Sequence, residues 1–214
     1  MLEALTNASN VGIAILCINT IIYFTGFTKN GKAFKCFTLY LLCIFIIQVS
    51  MEVLAYNGLN NHFISGYYLF LQFSLLSVFF YQLFLPINIV KSNVIKYLSV
   101  TVIAGIVMQY VFNPGLYYVF NSVGFLITSL VLIIYSVLYI FELVTRRLHF
   151  NFVAVGAFIY LVSSVIIFAS SVYLSTINED VFMVIWLINA VLFILYQLLI
   201  FWEWKQHFLP KTIK

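Results

Sequence analysis

Long apolar runs, interrupted at short intervals by Lys, Arg, Asn, Pro and Gly, set the rhythm of the chain. A helix needs about 20 apolar residues to cross a hydrocarbon core about 30 Å thick, at 1.5 Å rise per residue. Seven runs approach that length: Val11–Phe27, Ala33–Tyr56, Phe63–Leu85, Ile95–Phe112, Phe120–Val144, Phe150–Leu174 and Val181–Trp204. They predict an all-α integral membrane protein, a single seven-helix transmembrane domain over residues 1–214. Pro86, Pro114 and Pro210 fall at run ends or between runs, and Asn113-Pro114-Gly115 reads as a tight turn.

Composition removes the soluble alternative. The chain is 64% hydrophobic and 19% aromatic, but only 7% of its 214 residues are charged. An ordinary soluble domain carries about a quarter charged residues. Ten Lys/Arg and six Asp/Glu cannot cover the surface of so apolar a globule, so lipid is the main solvent.

The cations give direction. Lys and Arg are retained on the cytoplasmic side of short loops. Lys29, Lys32 and Lys35 fall in the first loop, Lys91 and Lys96 in the third, Arg146 and Arg147 in the fifth, and Lys205, Lys211 and Lys214 in the tail. The second, fourth and sixth loops have none, and the sixth carries Glu179 and Asp180 instead. This alternation predicts the N-terminus outside and the C-terminus in the cytoplasm, in the cell (inner) membrane. The net charge of +4 is thus a topology signal, and no direct nucleic-acid contact is expected.

No Lys or Arg precedes Val11, so the first run is expected to stay as a signal-anchor helix. Trp202 and Trp204 beside Lys205 read as interfacial anchors. Cys17, Cys36 and Cys43 lie in the first helix or the cytoplasmic half of the second, which predicts no disulfide. With loops of about five to ten residues and a short tail, function is expected to reside in the bundle.

A candidate internal repeat appears at a shift of 112, where Val11, Gly12, Ile15, Ile21, Ile22 and Tyr23 match Val123, Gly124, Ile127, Ile133, Ile134 and Tyr135. At a shift of 115, Tyr81-Gln82-Leu83 matches Tyr196-Gln197-Leu198. Helices one to three would then repeat as five to seven in parallel orientation, with the fourth as linker. In helix count, orientation and this repeat the chain resembles the seven-helix proteins built as three plus one plus three, which include microbial opsins and the SWEET sugar transporters. The resemblance implies architecture only. Val181–Trp204 holds no lysine for a retinal Schiff base, and the proline-glutamine motifs of SWEET-related proteins are missing.

Polar side chains in hydrocarbon are costly, so those that remain join helices or line a site. Gln48, Glu52 and Tyr56 are spaced along one face of the second helix, with Glu52 about 7 Å below the outer boundary. Gln72, Asn121, Ser122, Thr128, Ser163, Ser164, Trp186 and Asn189 fall at mid-depth or above. Gln48, Glu52, Gln72, Trp186 and Asn189 are the candidate ligand-binding set, suited to a small, weakly polar or lipidic ligand. The alternative is that Asn19, Gln72 and Asn189 simply bond between helices. At the inner side, Arg146 and Arg147 are the candidate partner-facing residues, and Glu142 stands four residues before Arg146 at ion-pair spacing.

Catalytic sets are not found. The histidines, His62, His149 and His207, all lie at helix ends, so neither an intramembrane zinc centre nor a Ser–His couple assembles, and one aspartate cannot form a paired-aspartate site. No metal or cofactor is expected. The favoured class is a non-enzymatic, receptor-like sensor or accessory protein that signals to a separate cytoplasmic partner. The alternative is a small-solute or proton-coupled transporter, and third a carboxylate-dependent lipid hydrolase using Glu52 with His62. A homodimer is a candidate state, although no extended stripe of small residues singles out a face.

Overall fold

The computed structural model describes residues 1–174 and 179–209, with backbone alone for 170–174 and 179–180. The cations Lys211 and Lys214 and the side chains of Glu179 and Asp180, used above for orientation, lie outside the described residues. Among the described residues seven long helices follow one another: α1 (Leu2–Thr25), α2 (Lys32–Tyr56), α3 (His62–Phe84), α4 (Ile89–Phe112), α5 (Ser122–Thr145), α6 (Asn151–Leu174) and α7 (Glu179–His207). A short 3-10 helix, Pro114–Tyr118, forms where the tight turn was predicted. Each of the seven contains a stretch long and apolar enough to cross a membrane. In hydrocarbon the backbone must satisfy its own hydrogen bonds, which a helix does. Their outward faces are apolar too: Ile18 and Ile21 of α1, Val100 and Val107 of α4, and Ile188 and Leu195 of α7 are exposed. Such surface suits lipid and not water.

The helix ends differ from the apolar runs for local reasons. The Asn88 side chain accepts from the backbone N–H of Val90 and Lys91 at 3.0 and 3.1 Å, starting α4 upstream of Ile95. Lys91 and Lys96 therefore sit in the first turns of α4 and not in a loop. α1 begins well before Val11, with Glu3 in its first turn, where the helix dipole favours an acid. Past the end of α2 Gly58 N–H reaches Ala55 O at 3.0 Å, and the Gly58 φ of +68° turns the chain so that Leu59 N–H reaches Leu54 O at 2.9 Å.

Two compact units are formed, Met1–Gly26 with Ser136–Lys214, and Phe27–Tyr135. In the first, α7 packs against both α1 and α6. Gly12, Asn19 and Tyr23 of α1 meet Phe193, Gln197 and Ile200 of α7 in the same order, so these helices run parallel. α6 runs antiparallel to α7, with Phe152 near Glu203 and Ser164 near Asn189. In the second unit, α3 packs against both α2 and α4, each antiparallel to it. Within each unit the directions thus alternate as successive membrane crossings require. The units group α1 with α6 and α7, a division that does not follow the one-to-three and five-to-seven grouping of the candidate repeat.

Candidate functional site

The predicted ligand set falls in both units. Gln48 and Glu52 are half-buried on α2, and Gln72 of α3 is only 4% exposed, all within Phe27–Tyr135. Trp186 and Asn189 are half-buried on α7 in the other unit. There they meet α6: Ser164 Oγ donates to Asn189 Oδ1 at 3.1 Å, and the Trp186 ring stands edge-on to Phe168 at 5.0 Å. The Trp186 indole nitrogen is buried without a hydrogen-bond partner. Thr128 serves the backbone, and Asn121 bonds both the backbone and a side chain of α4. Asn121 Oδ1 accepts from Gly124 N–H at 2.8 Å at the start of α5 and its Nδ2 donates to Gln109, while Thr128 Oγ1 donates to Gly124 O.

Arg146 and Arg147 are exposed at the end of α5, and Arg146 Nε lies 3.6 Å from Glu142. An exposed pair of this kind contributes little to stability.

The most constrained polar group is one that sequence reasoning passed over. Glu203, near the end of α7, is fully buried. Its Oε1 accepts from Phe150 N–H at 2.5 Å and its Oε2 from Phe152 N–H at 2.8 Å. His207 Nδ1, one turn further along α7, lies 2.7 Å from Oε1. An acid in the last turns of a helix opposes the dipole of that helix. Glu203 resolves the conflict by turning its carboxylate onto the start of α6, where free N–H groups and the dipole both favour an anion.

The surrounding backbone is fitted to this contact. Phe150 has a φ of +66°, a left-handed conformation that costs a non-glycine residue on the order of 1 kcal/mol or more. Its ring is buried against Phe208 at 5.1 Å, so packing and the carboxylate together hold the strained residue. Tyr139 of α5 donates its hydroxyl to His149 O at 2.7 Å, and Tyr23 of α1 donates to Ile200 O at 3.2 Å. The His149 and His207 rings are 5.2 Å apart. Four helix ends, those of α1, α5, α6 and α7, are thereby tied at one level. Among the described residues no three His, Cys, Asp or Glu side chains are arranged to hold a metal.

Two signals in the sequence point toward this cluster: an acid in the C-terminal turns of a helix, and a histidine four residues after it. Comparison with protein-family models, with curated proteins and with solved structures gives no match to this chain.

Proposed function

We propose that this multi-pass membrane protein is a non-enzymatic, receptor-like sensor or accessory protein, with its N-terminus outside, which passes a ligand-induced shift of α7 to a cytoplasmic partner. The observation that carries this is the Glu203 carboxylate bound to the start of α6. A change in α7 cannot leave the α5–α6 turn unaffected while those two hydrogen bonds hold. The candidate contacts Trp186 and Asn189 stand on the same helix, about 21 Å from Glu203 along its axis from Asn189. α7 is therefore a rigid connection between a mid-helix polar patch and the turn that carries Arg146 and Arg147. Gln48, Glu52 and Gln72 are retained as candidate ligand contacts of the other unit. Coupling requires only that a ligand favour one of two arrangements of α7.

Small ligand or lipid, the signal would emerge at the exposed arginines. Cross-linking from position 147 in intact cells, followed by purification, is expected to capture a cytoplasmic protein from the wild-type chain and much less from Glu203→Gln. Solute counterflow in proteoliposomes, abolished by Glu52→Gln, would instead establish a transporter and overturn the sensor reading. Tags at the two ends found on the same side of the membrane would overturn the orientation.

A further inference from the structure

The α6–α7 pair carries a second feature, on its outward side. An open groove of about 360 Å³ is lined by Gly156 and Tyr160 of α6 and by Leu192, Leu195, Leu199 and Trp202 of α7. Gly156 shapes it: a Cβ there would stand 2.8 Å from Tyr196 Cδ2 and 3.1 Å from Leu199 Cδ1. Without one, Tyr196 lies flat against Tyr160, ring centroids 5.5 Å apart and planes 11° from parallel, forming a smooth wall. From Leu192 to Trp202 the groove extends about 15 Å along α7, the depth of one leaflet of a hydrocarbon core about 30 Å thick. At one end stands Trp202, an amphipathic ring suited to the membrane interface, and beyond it Lys205 holds its ammonium over that ring at 5.3 Å.

We propose that this groove is a binding site for one anionic phospholipid, its acyl chain lying between Gly156 and Leu195 and its phosphate meeting Lys205. The wall is apolar over a leaflet's depth and the cation stands where a headgroup begins, so charge and length match one molecule. A juxtamembrane cation contributes on the order of 1 kcal/mol to such attraction. The site depends on the membrane setting alone and stands whether or not the chain signals.

Native mass spectrometry of the full chain released from nanodiscs of equal phosphatidylglycerol and phosphatidylcholine tests this. The wild type is expected to retain phosphatidylglycerol several-fold over phosphatidylcholine. Lys205→Gln should bring the two lipids to parity. Leu195→Trp, at an exposed position, should fill the groove and lower phosphatidylglycerol retention several-fold with Lys205 intact. Circular dichroism would verify that both variants fold. Equal retention of the two lipids by the wild type, displacement by soluble glycerol phosphate, or retention unchanged in either variant would overturn the proposal.

Discussion

The two units are held together by different means. In Met1–Gly26 with Ser136–Lys214, buried polar groups bond from one helix to the next. Asn19 Nδ2 donates to Gln197 O at 2.8 Å and to Gln197 Oε1 at 3.0 Å, Tyr23 donates to Ile200 O, and Glu203 grips the start of α6. In Phe27–Tyr135 the centre is aromatic. Phe37 and Phe79 have ring centroids 5.0 Å apart, Phe79 and Phe80 5.3 Å, and Phe80 and Tyr135 6.2 Å. Polar contacts cross between helices there as well: Asn121 Nδ2 donates to Gln109 Oε1 at 3.0 Å, and the hydroxyls of Ser99 and Tyr135 lie 3.0 Å apart and both reach the Ile95 carbonyl. Lipid tails are as apolar as the side chains they replace, so apolar packing fixes shape without a hydrophobic drive, whereas each polar bond fixes register. In the first unit such bonds recur along α7, at Gln197, Ile200 and Glu203.

The sharpest way to break this contrast is at Glu203. Glu203→Ala leaves two N–H groups and His207 without their acceptor, and loss of one partner from a buried charged network costs about 3–5 kcal/mol. Glu203→Gln, which keeps the shape and one carbonyl oxygen, is expected to cost less, about 1–2 kcal/mol. Thermal unfolding in detergent followed by circular dichroism should rank them wild type, Gln, Ala. An Ala variant that melts with the wild type would remove the Glu203 contact from any structural role.

Next in size is the aromatic centre of the other unit. Phe79 is fully buried between Phe37 and Phe80, and its truncation to Ala would leave a cavity. In a soluble core Phe→Ala costs about 3–5 kcal/mol, part of which is transfer out of water. In a membrane the unfolded reference is still in lipid, so the packing share remains, about 2 kcal/mol. The same melting assay checks it, and a Phe79→Ala loss larger than that of Glu203→Ala would invert the comparison. Asn19→Leu should follow at about 1 kcal/mol, the scale of an interhelical hydrogen bond in a membrane. No difference in melting for this variant would show that the Asn19–Gln197 contact carries no net stability.

These residues also mark how far the sequence could be read. All seven helices were legible because the bilayer imposes one length and one backbone solution on every crossing. Helix starts were less so: hydropathy cannot detect a cap such as Asn88, nor foresee that Lys91 and Lys96 sit on the helix it begins. Long cationic side chains can lie along a helix and still reach water. The expectation that Asn19 and Asn189 bond between helices agrees with their contacts to Gln197 and Ser164. Glu203 was illegible for a different reason. Its donors, Phe150 just before α6 and Phe152 in its first turn, are some 50 positions away, at backbone N–H groups that every residue type but proline carries. Beside two tryptophans it reads as an interfacial acid. Only its opposition to the helix dipole and its spacing to His207 hint otherwise.

The smallest effect is expected where a polar contact of the aromatic unit is exposed. Tyr67 of α3 and Tyr117 of the 3-10 turn bring their hydroxyls to 3.2 Å, with the rings edge-on at 6.3 Å. The Tyr117 phenol is raised above its ordinary value of 10.0, chiefly because its hydrogen bond with Tyr67 favours the neutral form. The folded value exceeds the unfolded one, so this contribution is complete below pH 10 and is lost as pH rises through the folded value. Carbon-13 NMR of ring-labelled tyrosine should follow the titration, and Tyr67→Phe should lower the Tyr117 midpoint toward 10.0 and, because the lost contribution is present at neutral pH, lower the melting temperature there only slightly. A midpoint unmoved by Tyr67→Phe would refute the hydrogen bond as its cause. A clear loss of neutral-pH stability would mean that register in this unit, too, depends on a polar contact.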